Sequence, residues 1–178
     1  ICLLGSPCAH SVSPMMHNAS FEALGLDYRY LAFDVNEETL PTAVAGLKVL
    51  GARGFNLTMP DKNLMVSLCD ELSTAARIIG AVNTVVNEDG RLVGHNTDGI
   101  GYMQSVKDAG YDIIGKKMTL LGAGGAATAI LVQAALDGLK EISVFVRPTS
   151  RFYDRLVHTV DELTKITDCK IKICDFSD

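Results

Sequence analysis

A glycine-rich segment at residues 122–127 most constrains what this chain of 178 residues can fold into. It follows the apolar run Lys117–Leu121 and precedes a long apolar stretch with helical character. In such a segment the first glycine, Gly122, permits a tight turn, Gly124 lets the backbone approach a pyrophosphate, and Ala127 permits close helix packing. The N–H groups that open the helix attract phosphates. The segment predicts a dinucleotide site at Gly122, Ala123, Gly124, Gly125, Ala126 and Ala127, the alternative being a glycine turn that binds nothing.

Strands and helices alternate along the rest of the chain, which predicts βαβ units and parallel strands. In the carboxyl-terminal half, strands are expected at 117–121, 141–147 and 170–176, with helices at 122–139 and 152–167. Before residue 98, the pattern predicts strands at 1–4, 28–35 and 52–58, helices at 13–24, 36–50, 60–72 and 73–79, and a hairpin at 82–95. We therefore expect an α/β fold in which an amino-terminal α/β domain, residues 1–98, is followed by the first half of a Rossmann-like parallel-sheet domain, residues 99–178. A doubly wound domain has two such halves, so the chain is expected to be a fragment, truncated at its carboxyl-terminal end.

Charge and cysteine content exclude several classes of function. The net charge is −5, from 16 basic and 21 acidic residues without a basic run, which argues against a nucleic-acid partner. The apolar stretches are too short to cross a bilayer, so no membrane association is expected. Five cysteines without a Cys-x-x-Cys pair argue against a disulfide framework or a metal site and favour a reducing cytoplasm.

Four polar clusters fall where predicted strands end or helices begin. They lie at residues 10–14, 56–62, 80–84 and 94–99. The hydroxyls of Ser11 and Ser13, beside a helix N-terminus, could cradle a carboxylate. Taken singly, each cluster also has an ordinary structural explanation: Ser13 would cap a helix, Lys62 would be a solvated charge, and Asp98 would cap the next helix.

Together, the clusters resemble the shikimate dehydrogenase family in order and approximate spacing, along essentially the whole chain. The matching motifs are residues 5–18, 56–62, 80–84, 96–101 and 122–125. The resemblance implies an NADP-dependent oxidoreductase that interconverts 3-dehydroshikimate and shikimate in aromatic amino acid biosynthesis. It implies that Ser11 and Ser13 bind the substrate carboxylate, that Thr58, Asn83 and Asp98 bind ring hydroxyls, and that Lys62 and Asp98 form the catalytic pair. Lys62 would thereby also contact the substrate.

The segment after the second predicted strand of the cofactor domain bears on the choice of cofactor. NAD-binding domains place an acidic residue there to bind the ribose 2′-hydroxyl. Here the segment has Arg147, Thr149 and Arg151 and no acid before Asp154. Arginine binds a phosphate bidentately. The segment resembles that of the NADP-using family members, with Val146 and Pro148 as departures, and predicts NADP in preference to NAD, which remains an alternative cofactor.

Three alternatives stay open at this stage. The segment Thr167–Cys169 resembles the quinate/shikimate dehydrogenase branch, whose members use NAD as well as NADP, so quinate is a second candidate substrate. A relative that binds ligands without turning them over is another alternative, although Lys62 and Asp98 argue against it. The oligomeric state is open between a monomer and a homodimer.

Overall fold

The computed structural model describes residues 1–177, which fold as two units, Ile1–His95 and a second that begins at Asn96. The division falls after residue 95 rather than after the predicted residue 98. Each unit is built around its own sheet.

The first unit contains six strands and four helical segments. In chain order they are β1 (Cys2–Gly5), α1 (Ser13–Ala23), β2 (Leu31–Asp34), α2 (Leu40–Val49), β3 (Gly54–Leu57), a 3₁₀ helix (Leu64–Leu68), β4 (Glu71–Leu72), α3 (Thr74–Ile79), β5 (Thr84–Glu88) and β6 (Arg91–His95). The strand order in the sheet is β2-β1-β3-β5-β6-β4. β1 runs parallel to β2 and β3, whereas β5 is antiparallel to β3 and β6. The carboxyl ends of β1 and β3 and the amino end of β5 therefore meet at one edge.

Apolar side chains from α2, the 3₁₀ helix and the sheet form the core of the first unit. Leu40 and Val44 are four residues apart and so lie on one face of α2. They belong to the same cluster as Leu4 of β1, Met65 of the 3₁₀ helix and Val85 of β5. Full burial of a leucine or methionine side chain contributes about 1.5–3 kcal/mol to the free energy of unfolding. This core supports the strands whose ends carry the predicted site.

The second unit repeats a strand–helix pattern. Its elements are α4 (Asp98–Asp108), β7 (Lys117–Leu121), α5 (Gly125–Leu136), β8 (Glu141–Phe145), α6 (Tyr153–Ile166) and β9 (Lys170–Cys174). The strands are all parallel and lie in the order β7-β8-β9. This is the predicted parallel sheet, with one helix after each of the first two strands.

The predicted helix over residues 60–72 is wrong. A turn precedes the short 3₁₀ helix at Leu64–Leu68, and the chain then joins the sheet as β4. Asp70 explains the change, because its amide donates to the carbonyl oxygen of Leu92 at 2.9 Å and its carboxylate accepts from the Leu92 amide at 2.7 Å. These two bonds hold the segment in extended conformation beside β6.

Several other predicted elements are shorter than expected, and two of them show the structural reason. The predicted strand over residues 28–35 pairs only at Leu31–Asp34. Before it, Tyr30 bonds instead to the side chain of Asn18, which accepts from the Tyr30 amide at 2.8 Å and donates to its carbonyl oxygen at 2.9 Å. The predicted helix over 122–139 begins at Gly125 and ends at Leu136, because Gly122 and Gly138 adopt positive φ angles of 96° and 97°.

Helices α4 and α5 approach each other closely at a glycine. Gly99 is buried, and a Cβ atom added to it would overlap the main-chain carbonyl oxygen of Ala129 and the side chain of Gln133. Gly101 lies in the same helix but is exposed, and a Cβ atom there would meet no atom within 4 Å. The contact between the helices therefore requires glycine at position 99 and not at position 101.

We expect Gly99→Ala to lower the free energy of unfolding by about 1–3 kcal/mol, because the methyl group overpacks the contact with α5. The matched variant Gly101→Ala should raise it by up to about 1 kcal/mol, because alanine has the higher helix propensity. Denaturant unfolding of both variants measures the two changes. Equal effects of the two substitutions would contradict the packing explanation.

Candidate functional site

The loops that follow β1 and β3 lie against each other. The amide of Thr58 donates to the carbonyl oxygen of Leu4 at 2.9 Å, and the amide of Ser6 donates to that of Met59 at 3.2 Å. A Cβ atom added to Gly5, the last residue of β1, would overlap the methyl group of Thr58. The close approach of the two loops therefore requires glycine at position 5. Thr58 is half-buried at this contact. The structure thus brings a predicted substrate-binding hydroxyl to the edge where both strands end.

Lys62 and Asn83 belong to the same edge. The carbonyl oxygen of Lys62 accepts from the Val82 amide at 2.8 Å, and that of Asn83 accepts from the Leu57 amide at 2.9 Å. The Asn83 amide donates to the carbonyl oxygen of His95 at 3.0 Å. Asn83 is 8% exposed, and Lys62 is half-buried. The main chain therefore fixes both predicted residues beside Thr58.

Ser11 and Ser13 lie in the loop between β1 and α1, but Ser13 does not cap the helix as predicted. Val12 is the N-cap residue, without a capping side-chain bond, and Ser13 is the first helical residue, followed by Pro14. The hydroxyl oxygen of Ser11 accepts from the Ser13 amide at 3.2 Å. Both serines are half-buried. Their hydroxyls thus flank a helix N-terminus, where partial positive charge favours an anion.

Asp98 lies in the second unit, as the first residue of α4. Thr97 is the N-cap residue, and the Asp98 amide donates to Asn96 Oδ1 at 3.2 Å. Asp98 is exposed. A carboxylate in the first turn also stabilises a helix electrostatically, which accounts for part of the predicted structural role.

Sequence reasoning missed a buried carboxyl group beside Lys62. Asp61 is fully buried, and neither of its carboxyl oxygens has a hydrogen-bond partner among the described residues 1–177. Burial, and to a lesser extent the nearby charge of Glu37, raises the pKa of Asp61. Its position in a Pro-Asp-Lys turn gave no sign of burial, since aspartate in a turn is normally exposed.

The predicted dinucleotide turn connects β7 to α5. Gly122 has a φ of 96°, in the left-handed region that favours glycine, and its amide donates to the Phe145 carbonyl oxygen at 2.8 Å. Gly124 is the N-cap residue and Gly125 the first helical residue of α5. Neither has a positive φ, and a Cβ atom on either would meet no atom within 4 Å. Since the protein's own packing does not require glycine there, the space is consistent with close approach of a ligand to the backbone.

The predicted phosphate-binding arginines follow β8, next to this turn. Arg147, Thr149 and Arg151 are exposed. The guanidinium of Arg151 lies over the ring of Phe152, 4.7 Å from its centroid, an arrangement that orients a planar guanidinium. Because β7 and β8 are adjacent and parallel, the glycine turn and the arginine loop extend from the same edge of the sheet.

A cavity in the second unit lies away from these predicted residues. It has a volume of about 590 Å³ and is formed by α4, α5 and the connection between α4 and β7. Its lining includes Ile100, Tyr111, Ile114, Gln133 and Asp137. None of the predicted cofactor-binding residues contributes to it, so the cavity carries no argument for the dinucleotide site.

Residues 1–177 contain neither a cluster of metal-ligating side chains nor a membrane-spanning helix. No group of three or more His, Cys, Asp or Glu side chains is arranged to hold a metal ion there. None of the helices in this range has the length and apolar character needed to cross a membrane.

The chain is similar in sequence to dehydrogenases of one family. Residues 3–85 match the family model of the shikimate dehydrogenase substrate binding domain. A shikimate dehydrogenase (NADP(+)) of Listeria monocytogenes is 54% identical over 99% of this chain and 60% of its own length. A quinate/shikimate dehydrogenase of Escherichia coli is 46% identical over 99% of this chain and 61% of its own length. The predicted family resemblance is confirmed.

A solved structure shows the same fold. The crystal structure of shikimate 5-dehydrogenase from Listeria monocytogenes, in complex with shikimate and NAD, matches with a TM-score of 0.95 at 54% identity. The match covers 100% of this chain and 61% of that one, so the chain spans about 60% of the relatives it matches. The predicted α/β class, with a Rossmann-like parallel sheet after an amino-terminal α/β unit, is confirmed.

We expect Asp61→Asn to raise the free energy of unfolding at neutral pH by about 1–3 kcal/mol, because it removes a buried acid without partners. The raised pKa means that the folded state binds this proton more tightly than the unfolded state. Stability of the unmodified protein should therefore fall as pH rises from the ordinary aspartate pKa of 3.8 through the raised value.

Denaturant unfolding at neutral and at acidic pH tests this expectation. The difference between Asp61→Asn and the unmodified protein should shrink as pH falls, because the protonated carboxyl group no longer has to be ionised. Asp27→Asn, on the exposed surface of the same unit, is the control and should leave stability unchanged. A pH-independent difference would contradict the prediction.

Proposed function

We propose that the chain, which is similar to members of the shikimate dehydrogenase family, forms the substrate-binding part and the first half of the cofactor-binding part of an enzyme that interconverts 3-dehydroshikimate and shikimate with NADP. One observation carries the proposal. Thr58, Lys62 and Asn83, which the family resemblance assigns to the substrate, are held at one edge of the first sheet by main-chain hydrogen bonds. The similarity to relatives named shikimate dehydrogenase supports the same activity.

The proposed substrate has one charged group and several hydroxyls, and the chain offers matching groups. Ser11 and Ser13 place two hydroxyls beside the N-terminus of α1, where a carboxylate is stabilised. Thr58, Asn83, Lys62 and Asp98 supply hydroxyl, amide, ammonium and carboxylate groups for the ring hydroxyls. Such groups in a partly buried site reject ligands that leave them unpaired.

The residues of the β7–α5 turn fit a nicotinamide dinucleotide. Gly124 and Gly125 leave room beside the backbone, and the first N–H groups of α5 have no helical acceptors of their own. These groups, with Gly122, Ala123, Ala126 and Ala127, would hold the pyrophosphate. When bound, the cofactor supplies the hydride that is exchanged with the substrate carbon.

Residues of the chain itself transfer the proton that the substrate oxygen gains or loses in the reaction. In the direction of reduction, the Lys62 ammonium donates a proton to the oxygen that gains negative charge as the carbonyl carbon receives hydride. In the reverse direction, the neutral amine accepts the hydroxyl proton. We assign to Asp98 the second catalytic group, a carboxylate that accepts a hydrogen bond from a ring hydroxyl.

The arginine loop supports a preference for NADP over NAD. Arg147, Thr149 and Arg151 offer a 2′-phosphate two guanidinium groups and a hydroxyl next to the glycine turn, and the loop contains no acid to repel it. The five cysteines are free thiols, which fits the proposed cytoplasmic setting.

A quinate/shikimate dehydrogenase is the second candidate function, favoured by the 46% identity to a relative of that name. The two proposals differ in the ratio of kcat/KM for quinate and shikimate and in the use of NAD. Comparison of both substrates with both cofactors in the full-length enzyme separates them, and binding without turnover would identify a non-catalytic relative.

We expect Lys62→Ala to reduce kcat of the full-length enzyme by roughly a hundredfold or more, because the proton donor is lost. Lys48→Ala is the matched control, since Lys48 forms an exposed ion pair with Asp70 in the same unit. It should retain the turnover of the unmodified enzyme. If Lys62→Ala also retained it while folded, the assignment of Lys62 would be wrong.

We expect Arg147→Ala to weaken binding of adenosine 2′,5′-bisphosphate by roughly tenfold, since a charge-assisted bidentate contact is lost. Binding of AMP, which has no 2′-phosphate, should not change. Lys172→Ala, in the ion pair with Glu141, is the control and should alter neither affinity. Calorimetric titration measures both, and equal losses for the two nucleotides would contradict the assignment.

A further inference from the structure

A chain of hydrogen bonds runs from the interior of the first unit to Asn83. The hydroxyl of Tyr30 donates to Asn56 Oδ1 at 2.8 Å, and Asn56 Nδ2 donates to Thr84 Oγ1 at 3.1 Å. The hydroxyl of Thr84 donates to Asn83 Oδ1 at 3.0 Å. Tyr30 is 1% exposed, whereas Asn83, at the other end, is 8% exposed at the edge that carries Thr58 and Lys62.

The orientation of the Asn56 amide in this chain is fixed by its chemistry. Asn56 Nδ2 also lies 3.3 Å from the main-chain oxygen of Asn83, which can only accept, so the amide of Asn56 must face it with the nitrogen. Asn56 Oδ1 then faces the Tyr30 hydroxyl and accepts from it. Thr84 Oγ1 accepts from Asn56 Nδ2 and donates its single proton to Asn83 Oδ1.

Tyr30 is itself held rigidly. Asn18 bonds both main-chain groups of Tyr30, and the ring of His17 stacks on the Tyr30 ring with centroids 4.4 Å apart. Burial raises the pKa of Tyr30 to about 12, so its hydroxyl remains a donor at ordinary pH. The bond chain therefore begins at a fixed donor, attached to the helix that Ser13 opens.

Asn83 has no freedom to move away from this chain. Its amide and its carbonyl oxygen bond to β6 and β3 on either side, at 3.0 and 2.9 Å. With the main chain fixed, the side-chain hydrogen bonds of Asn83 decide which end of its amide faces Thr84. The Thr84 hydroxyl donates to the oxygen end.

We propose that Tyr30, Asn56 and Thr84 are positioning residues that hold the Asn83 carboxamide with its oxygen toward Thr84 and so commit its Nδ2 group to hydrogen-bond donation to a substrate oxygen. The proposal rests on the proposed function, which assigns Asn83 to the substrate. It adds to that function the direction of the hydrogen bond between Asn83 and the substrate, in which Asn83 is the donor. A ligand with a hydroxyl or carbonyl oxygen at this point is accepted, whereas one with only a donor there leaves two donors face to face.

Thr84→Val tests the last bond, because valine preserves the shape of threonine and removes the proton. In the full-length enzyme we expect kcat/KM for shikimate to fall roughly tenfold, since the amide of Asn83 loses its preferred orientation. Thr84→Ser restores the hydroxyl and should restore most of the loss. If serine did not rescue the activity lost on substitution by valine, the hydroxyl would not be the determinant and the proposal would fail.

Deoxy analogues of shikimate, each without one ring hydroxyl, separate orientation from a general structural effect. The penalty of Thr84→Val should disappear with one analogue, the one without the oxygen that Asn83 contacts, and persist with the others. A penalty of equal size with every analogue overturns the proposal. Tyr30→Phe should produce the same pattern of kcat/KM losses at smaller magnitude. Tyr28→Phe, at an exposed tyrosine outside the bond chain, should leave kcat/KM unchanged.

A readout without substrate distinguishes failure of this proposal from failure of the proposed function. Nuclear magnetic resonance of the side-chain amide of Asn83 in the ligand-free protein should show its two NH signals shifted by Thr84→Val and unshifted by Thr84→Ser. Unchanged signals in the valine variant refute the bond chain, whatever the enzyme acts on. Shifted signals in a protein inactive toward shikimate support the bond chain and refute only the proposed substrate.

Discussion

Main-chain hydrogen bonds at one edge of the first sheet position the proposed substrate-binding residues of that unit. The bonds from Thr58 to Leu4 and from Leu57 to Asn83 tie together the ends of β1 and β3 and the start of β5. Because successive residues of a strand face opposite sides of a sheet, a register slip of one residue would exchange the faces of all side chains on that strand. The backbone pairing therefore determines which side chains are available at this edge of the sheet.

In the second unit, the proposed ligand site consists of free space beside the backbone rather than of hydrogen-bonded side chains. Gly122 turns the chain after β7, and Gly124 and Gly125 leave the start of α5 uncovered by protein atoms. The parallel pairing of β7 with β8 then brings the loop of Arg147 to the same edge. Backbone N–H groups can serve the pyrophosphate shared by both dinucleotides, whereas only the adjacent arginines can distinguish a 2′-phosphate.

Local signals in the sequence predicted the elements that depend on local interactions. The hairpin formed by β5 and β6 has its turn at Asp89 and Gly90, both with positive φ, as the turn residues indicate. The segment after Lys62 could not be predicted in this way, because the pairing of Asp70 with Leu92 across the sheet decides its conformation. The same holds in the site: the sequence singled out Asn83 by its motif, while its main-chain partners, Leu57 and His95, lie on other strands.

Two buried polar features of the first unit illustrate what a fold gains and loses by burying such groups. Every bond from Tyr30 to Asn83 is made, so these side chains rigidify the edge without leaving a donor or acceptor unpaired along that path. Asp61 has no such partner within residues 1–177, and its burial costs stability. The cost falls in the turn that carries Lys62, because burial raises the pKa of the adjacent Asp61 and so opposes its ionisation.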